Sequence, residues 1–318
     1  MDNASLIAAL AERHGGTGSL AFHEGPGGLV FVGVDNRHAR ATLCLQGAQL
    51  THWQPHDQAH AVLWLSDAAR PAPGKAIRGG IPVCWPWFGA PVAGAADPPP
   101  GGPAHGFART RAWQFDAAHE LADGATRLHL SLADDADTRA LWPAAFALAL
   151  HITVGRTLRL ELVTRNTGVT EVTIGEALHT YFRVGDIGAI TVGGLAGAGY
   201  FDAASAAAGG AAPHVRPPGA PESDPIRFTG EVDRVYDNAG LCHVDDPQLG
   251  RRIHIATSGS GSTVVWNPWE AKAERLGDLG PLGWRAMVCV ESGNARDRVV
   301  RLRPGASHAL CARYHVES

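Results

Sequence analysis

Two arginines lie in glycine-containing segments that could bind an anion. Arg78 is followed by Gly79 and Gly80, and Arg109 ends the segment 105–109, HGFAR. A guanidinium group presents a rigid fork of donors, and glycine leaves the backbone bare enough to approach an oxyanion. Aromatic and proline residues surround both arginines, so the segments predict a small pocket for a phosphorylated, ring-shaped ligand. The alternative is that both arginines form structural pairs at turns and the aromatic residues belong to the core.

A histidine has the residue type for proton transfer. His179 lies in the apolar and aromatic run 176–182, which predicts a strand with Leu178 and Thr180 pointing to the opposite face from His179. A pKa near neutrality suits a proton donor. The alternative is a structural histidine whose ring nitrogens are satisfied by neighbours.

A glutamate could act as the matching base. Glu291 follows the apolar run 287–290, where we predict the end of a strand and then a turn at Gly293. Partial burial at that position raises the pKa of a carboxyl group towards the range useful for a general base. The alternative is a strand-end carboxylate that accepts hydrogen bonds from backbone amides.

Two further segments fit a sugar ligand but also fit ordinary structure. Asp233 could bind sugar hydroxyls or form a pair with its neighbour Arg234. Trp266 and Trp269 could form a flat wall for a pyranose ring, although tryptophan is also a common core residue, and the core interpretation is favoured.

Three histidines, His52, His56 and His60, recur at four-residue spacing, which on a helix would form a metal-binding face. Pro55 interrupts the run and pushes the residue before it out of helical geometry. A hairpin turn is therefore the favoured prediction, with no metal site.

Composition excludes several classes of protein. The chain has 318 residues and a net charge of −4, with no block of like charge, so neither nucleic-acid nor membrane binding is expected. The five cysteines are scattered without a C-x-x-C pair, which indicates reduced thiols in a cytoplasmic protein. The N-terminal apolar run is too short for a signal peptide or a membrane span, and Asp2 to Ser5 predict a capped N-terminal helix instead.

The elements that must position these residues are mainly strands. Alternation of apolar and polar residues is clearest over 158–162. Similar runs cover 128–132, 146–154, 252–257, 263–266, 287–290, 299–302 and 309–316. Many short strands between glycine-, proline- and asparagine-rich turns predict a large antiparallel β-sandwich with few, peripheral helices.

Domain organisation follows from two stretches that break this pattern. Residues 93–103 are too rich in proline and glycine for a central strand or helix, and residues 196–225 are rich in alanine, glycine and proline. Similar strand patterns flank both. We therefore predict a single domain, 1–318, with surface excursions near 93–103 and 196–225.

Six segments, in this order, resemble the hexose-6-phosphate mutarotases, the glucose-6-phosphate 1-epimerase branch of the aldose 1-epimerase family. They are 47–53 (GAQLTHW), 77–82 (IRGGIP), 105–109 (HGFAR), 178–182 (LHTYF), 233–236 (DRVY) and 290–293 (VESG). The resemblance runs from about Gly47 to Asn294 and more loosely to the C-terminus. One departure is Ala104, where the family often has glutamine, and this puts the sugar preference in question.

The resemblance implies a galactose-mutarotase-like β-sandwich that interconverts the α and β anomers of a hexose 6-phosphate, glucose 6-phosphate above others. The implied site residues are His179 as general acid, Glu291 as general base, Arg78 and Arg109 as phosphate-binding arginines, His105 as a pocket histidine and Asp233 as a sugar-binding carboxylate. Ring opening would begin from a protonated His179 and an ionised Glu291. No cofactor or metal is implied, the partner is a small-molecule hexose phosphate, and a monomer is expected.

Two other functions remain open from the sequence. An aldose 1-epimerase acting on unphosphorylated sugars would share the acid/base pair but would not need two phosphate-facing arginines. A non-catalytic sugar-phosphate sensor or partner protein would keep the pocket and bind the ligand without accelerating anomer exchange.

Overall fold

The alternating segments of the chain form a mainly antiparallel β-structure. The computed structural model describes residues 2–89, 102–204, 215–216, 225–237 and 240–318. The α-helices in this part of the chain are α1 (Asn3–His14), α2 (Ala136–Leu141) and α3 (Trp269–Ala273). The strands are β1 (Leu20–Glu24), β2 (Val30–Asp35), β3 (Ala39–Cys44), β4 (Gln49–Pro55), β5 (Val83–Cys84), β6 (Gln114–Glu120), β7 (Thr126–Ala133), β8 (Phe146–Val154), β9 (Thr157–Asn166), β10 (Val172–Ile174), β11 (Glu176–Leu178), β12 (Tyr181–Arg183), β13 (Thr191–Gly193), β14 (Tyr200–Asp202), β15 (Val215–Arg216), β16 (Val232–Tyr236), β17 (Leu241–Asp246), β18 (Arg251–Ser258), β19 (Ser262–Asn267), β20 (Met287–Asn294), β21 (Val300–Leu302) and β22 (Ser307–Glu317).

Two eight-stranded sheets dominate the fold. One has the order β13-β17-β18-β22-β9-β8-β7-β6, and the other has the order β15-β14-β16-β19-β20-β11-β5, with β12 also paired to β20. A four-stranded sheet, β1-β2-β3-β4, and a two-stranded sheet, β10-β21, complete the pairing. The strands that alternation predicted are confirmed as β7, β8, β9, β18, β19, β20, β21 and β22.

The period-two pattern gives the first large sheet one apolar face. Along β9, Leu158, Leu160 and Leu162 are completely buried, while the residues between them are partly exposed. Side chains alternate across a strand, so one face collects the leucines. Each fully buried leucine stabilises the fold by about 1.5–3 kcal/mol, and this burial fixes the register of the sheet.

The second large sheet packs its core side against the first. The rings of Phe182 on β12 and Tyr314 on β22 meet edge to face with centroids 5.3 Å apart. Next to them, the hydroxyl groups of Thr180 and Tyr314 share a 2.6 Å hydrogen bond in the buried interface. The chain that follows His179 is therefore anchored to the opposite sheet.

The helices are few and peripheral, as the sequence predicts. Asp2 caps α1 by accepting a 2.8 Å hydrogen bond from the backbone N–H of Ser5, and Leu10 is the buried residue of this helix. In the described ranges no helix is long and apolar enough to cross a membrane. Four of the five cysteines are buried and all five are free thiols.

The two predicted excursions are described only in part. Most of 93–103 falls within 90–101, outside the described residues, as do 205–214 and 217–224 of the second stretch. The remainder of 196–225 contributes β14 and β15, which pair with each other and extend the second large sheet beyond β16. This part of the second stretch is therefore sheet edge and not only surface loop.

Candidate active site

A cavity of about 320 Å³ brings all six predicted site residues together. It lies against the second large sheet, between β16, β19, β20 and the segments that follow β4 and precede β6. Its lining residues are Arg78, Phe88, Ala104, His105, Arg109, His179, Asp233, Val264, Trp266, Lys272, Leu276 and Glu291. The two arginine segments and the acid/base residues thus face one volume although they lie far apart in the chain.

A larger hollow of about 690 Å³ lies elsewhere, against the N-terminal four-stranded sheet. Its lining is mostly apolar and includes none of the six predicted residues. Size alone would favour this hollow, but the convergence of titratable and cationic side chains favours the smaller cavity as the site of chemistry.

Glu291 lies in the middle of a central strand. The prediction of a strand end is wrong, because β20 continues to Asn294 and pairs with β19 on one side and β11 on the other. Gly293 is also not a turn: a Cβ atom there would lie 2.5 Å from the backbone oxygen of Glu176, so glycine permits close strand packing. This position leaves only 1% of Glu291 exposed.

His179 lies in a break between two short strands. A continuous strand was expected, but β11 ends at Leu178 and β12 begins at Tyr181. The backbone N–H of His179 donates to the oxygen of Pro82 at 3.0 Å, and Thr180 points away to Tyr314. The expectation that His179 and Thr180 point to opposite sides is therefore confirmed, and His179 faces the cavity.

His179 and Glu291 form a close buried pair. Nδ1 of His179 lies 3.4 Å from Oε1 of Glu291, but the geometry is not that of a hydrogen bond. Burial lowers the pKa of His179 well below its ordinary value, and His105, Arg109 and Arg78 lower it further. Burial also raises the pKa of Glu291 well above its ordinary value, with a contribution from Asp233.

These shifts correct the charge state that the sequence predicts for the pair. Both oppose a protonated His179 beside an ionised Glu291, so the free protein favours a neutral imidazole. Between the two groups, the shifts favour the proton on Glu291 and not on His179.

Arg78 is held from two sides. Its Nε donates to Oδ1 of Asp278 at 3.1 Å, and its Nη1 donates to the hydroxyl oxygen of Tyr181 at 3.0 Å. Burial opposes its charge, but Tyr181 and Asp278 outweigh burial and raise the pKa of Arg78. The guanidinium plane is thereby fixed towards the cavity.

The two glycines after Arg78 serve chain packing. Gly79 and Gly80 have φ angles of 111° and 65°. A Cβ atom on Gly79 would lie 2.6 Å from Cα of Leu65, and one on Gly80 would lie 2.2 Å from the backbone oxygen of Leu50. These glycines let the arginine-bearing segment cross other backbone closely. The approach of bare backbone to an oxyanion stays a prediction.

Arg109 and His105 come from the second segment. Arg109 donates through Nη2 to the backbone oxygen of Ala104 at 2.6 Å, and within the described residues its buried Nε has no hydrogen-bond partner. Burial, Arg109 and Arg78 lower the pKa of His105 to about 3, so its ring is neutral. Its Nδ1 accepts from the backbone N–H of Gly89 at 3.3 Å, which leaves Nε2–H as a donor.

Asp233 forms its ion pair with a residue that the sequence did not single out. Lys272 on α3 lies 3.3 Å from Oδ2 of Asp233 and 2.7 Å from Oε1 of Glu231. The proposed alternative partner, Arg234, instead contacts Asp202 at 3.5 Å and lies over the ring of Tyr200. Asp233 thus remains directed to the cavity.

Trp266 belongs to the core and also lines the cavity. It is 9% exposed, lines the cavity, and meets the rings of His179 and Tyr181 edge to face at 6.2 and 6.1 Å. The core interpretation favoured from sequence is correct for its burial, and the same side chain also closes one side of the site.

Comparison with known proteins shows the family of this chain. The family model described as "Aldose 1-epimerase" matches residues 32–315. The chain belongs to the aldose 1-epimerase family. Among the curated relatives of this family member, a protein of Escherichia coli K12 named "Putative glucose-6-phosphate 1-epimerase" is 38% identical over 280 residues, covering 87% of each chain. A protein of Cenchrus ciliaris with the same name is 32% identical, covering 85% of this chain and 79% of its own.

Solved structures agree on the fold of this epimerase-family protein. The crystal structure of a "putative mutarotase" from Salmonella typhimurium superposes with a TM-score of 0.82 and 32% identity, covering 95% of this chain and 94% of its own. A galactose mutarotase-like protein from Lactobacillus casei, at 17% identity and a TM-score of 0.67, shares the fold. The predicted galactose-mutarotase-like β-sandwich is confirmed.

Sequence reasoning missed three residues that shape the site of this epimerase-family protein: Lys272, Asp278 and Tyr181. Lys272 and Asp278 follow the tryptophan-rich segment that begins at Trp266, and only the fold carries them back to Asp233 and Arg78. Tyr181 lies in a segment that carried the family resemblance, yet its contact with Arg78 depends on a side chain 103 residues away.

The site of this family member also contains three side chains of metal-ligating type. Ligand atoms of His179, Cys289 and Glu291 lie within 4.8 Å of one another. However, burial and Glu291 raise the pKa of the Cys289 thiol well above its ordinary value, which disfavours the thiolate that a metal requires. Among the described residues, the three histidines of 52–60 belong to no such group. His52 lies on β4, and Nε2 of His56 is 2.8 Å from the backbone oxygen of Asn36.

Proposed function

We propose that this aldose 1-epimerase family protein interconverts the α and β anomers of hexose 6-phosphates, with glucose 6-phosphate as the foremost substrate. The observation that carries the proposal is one cavity lined by both an acid/base pair, His179 and Glu291, and two arginines, Arg78 and Arg109. The names of the relatives from Escherichia coli and Cenchrus ciliaris point to the same substrate. A volume of about 320 Å³ lies at the small end of the range for small-molecule sites and suits a single sugar.

The chemistry requires two proton transfers. His179 donates a proton to the ring oxygen while Glu291 accepts the proton of the C1 hydroxyl, and the ring C1–O5 bond breaks to give an aldehyde. Rotation about C1–C2 presents the other carbonyl face, and the transfers reverse as the ring closes. Each group is expected to contribute roughly 10²–10⁴-fold to the rate. The 3.4 Å separation between the two side chains allows both to reach atoms attached to C1.

The cycle requires the proton that the free site favours on Glu291 to lie on His179 instead. In the free site, burial and the positive charges of Arg109 and Arg78 keep the pKa of His179 low. A phosphate dianion held by those arginines offsets their charges and thereby raises the proton affinity of His179. A phosphorylated sugar therefore favours protonation of His179 more than an unphosphorylated sugar does. The same offset also raises the proton affinity of Glu291, because Arg109 lowers the pKa of that carboxyl group.

The remaining residues hold the sugar. Arg78 and Arg109 bind the phosphate through charge-assisted hydrogen bonds, which fixes the register of the ring. His105 donates through Nε2–H to a ring oxygen or hydroxyl oxygen, because its Nδ1 already accepts from Gly89. Asp233 accepts from sugar hydroxyls. Ala104 contributes its backbone oxygen to Arg109, so the side chain that the family often has at this position is not needed to hold the arginine.

The test is anomer exchange at equilibrium, measured by NMR saturation transfer with glucose 6-phosphate, glucose and galactose side by side. We expect acceleration for the phosphate ester and little for the free sugars. Equal or greater acceleration of galactose or glucose would reject the phosphate assignment and favour an aldose 1-epimerase for free sugars. Binding of glucose 6-phosphate without accelerated exchange would favour the sensor.

A further inference from the structure

Lys272 connects two carboxylates at the edge of the cavity. It lies on α3, and its Nζ reaches across to β16, where Oδ2 of Asp233 is 3.3 Å away; Oε1 of Glu231, just before that strand, is 2.7 Å away. The three side chains are between 26% and 30% exposed, so the contact is partly shielded from solvent. The chain has 27 lysines and arginines, of which only Lys75 and Lys272 are lysines. A lysine here provides a compact point charge that can contact two carboxylates from one atom.

Other carboxyl groups also act on Asp233. Glu231, just before β16, and Asp202 on β14 raise its pKa, and Asp233 in turn raises that of Glu291 on β20. Burial raises the pKa of Asp233, and Lys272 is the group that opposes this shift. Without the lysine, a carboxylate close to three other acidic groups would tend to take up a proton and lose its capacity to accept two hydrogen bonds.

The two carboxylate oxygens of Asp233 differ in their contacts. Lys272 contacts Oδ2, which leaves Oδ1 for a ligand in the cavity. We propose that Lys272 is a positioning residue that keeps Asp233 ionised and presents Oδ1 to the ring hydroxyls of the sugar. This role rests on the proposed function, and it assigns Lys272 to recognition of the hydroxylated ring and not of the phosphate.

A double-mutant cycle tests whether Lys272 acts through Asp233. The variants are Lys272→Met, Asp233→Asn and the double variant, assayed for anomer exchange of glucose 6-phosphate. We expect Lys272→Met alone to raise KM about tenfold, and to add less than twofold in the Asp233→Asn background. Fold-changes that multiply in the double variant would overturn the proposal.

The pH dependence of kcat/KM distinguishes this role from a merely structural one, which would leave that dependence unchanged. Removal of the lysine raises the pKa of Asp233, so the acid limb of kcat/KM is expected to shift to higher pH in Lys272→Met. Lys272→Arg keeps a cation and is expected to restore the parent profile. An unshifted acid limb in a folded Lys272→Met protein counts against the proposal.

Two controls separate competing explanations. Glu231→Gln removes the other partner of the lysine and is expected to leave KM within about threefold of the parent value. The Kd of inorganic phosphate, measured by calorimetry, is expected to change less than twofold in Lys272→Met. A tenfold weaker Kd would reassign Lys272 to the phosphate and overturn the proposal.

The same cycle distinguishes failure of this role from failure of the proposed reaction. If the parent protein accelerates no anomer exchange, the cycle is measured on the Kd of glucose 6-phosphate. Coupling of the two variants in Kd would then support the Lys272–Asp233 role while the reaction is rejected. No binding of glucose 6-phosphate by the parent protein would overturn both.

Discussion

The ring of Tyr181 stacks on the ring of His179, with centroids 4.9 Å apart and planes inclined by 9°. The hydroxyl of the same tyrosine accepts a hydrogen bond from Arg78. One side chain therefore touches both the residue proposed to donate the proton and one of the arginines proposed to hold the phosphate.

This arrangement predicts that the two functions of Tyr181 can be separated. Tyr181→Phe keeps the stacked ring but removes the acceptor for Arg78, so we expect KM for glucose 6-phosphate to rise about 3–10-fold with kcat nearly unchanged. Tyr181→Leu also removes the stacked ring and is expected to lower kcat. Steady-state exchange kinetics compare the two variants, and equal kcat values in both would argue against a role for the stack.

Glu291→Gln is expected to lower kcat about 10²–10⁴-fold, because glutamine cannot accept the C1 hydroxyl proton. The amide occupies nearly the same volume, so the fold is expected to persist. Saturation-transfer rates at saturating glucose 6-phosphate give the measurement, with circular dichroism as the control. Near-normal turnover would remove Glu291 as the general base.

The same substitution is expected to stabilise the protein at alkaline pH. The folded-state pKa of Glu291 is raised, so its contribution to stability is fully present below the unfolded pKa and is lost as pH rises through the folded pKa. Glutamine does not ionise, and we expect Tm of Glu291→Gln to exceed that of the parent by about 2–4 °C at pH 8 and to match it near pH 4.

Glu317→Gln is the matched control for that comparison. Glu317 is exposed and its pKa is lowered by His254, so its removal is not expected to raise Tm at pH 8. A Tm of Glu291→Gln below the parent value at pH 8 would contradict the prediction that ionisation of the buried carboxyl group destabilises the folded protein.

Replacement of either cavity arginine is expected to act mainly on KM. In the described part of the chain, the one hydrogen bond of the Arg109 guanidinium is to the backbone oxygen of Ala104. We expect Arg109→Met to raise KM for glucose 6-phosphate about 10–100-fold and to change kcat much less. Arg78→Met is expected to act in the same direction and also leaves Asp278 without its partner. Unchanged KM in Arg78→Ala or Arg78→Met would count against a phosphate role.

Substitution of Gly80 is expected to cause a large loss of stability. Its φ is 65°, and a Cβ atom would lie 2.2 Å from the backbone oxygen of Leu50, so we expect Gly80→Ala to cost about 3 kcal/mol or more. Gly74 has a φ of 73° but no atom within 4 Å of a Cβ atom, so Gly74→Ala isolates the backbone cost of about 1 kcal/mol. Urea unfolding compares the two, and equal losses would exclude the steric explanation.

Much of the fold could be predicted from local pattern. The alternation in 146–154 and 158–162 corresponds to β8 and β9, because side-chain direction in a strand depends only on position along the chain. The end of β20 could not be predicted in this way. Its strand continues through Glu291 and Gly293 because β11 and β19 flank it, and those partners lie elsewhere in the sequence.

The sequence by itself determined which residue types could perform the chemistry. Six residues were identified from motifs, and all of them line one cavity: His179, Glu291, Arg78, Arg109, His105 and Asp233. Their charge states were decided only by the tertiary structure. A protonated His179 was expected, but its burial and the nearby arginines favour a neutral ring. Arg78 is compensated by Asp278, 200 residues away, and Asp233 by Lys272. Burial and Coulomb interactions depend on distances in space, and residue order does not specify those distances until the sheets have packed.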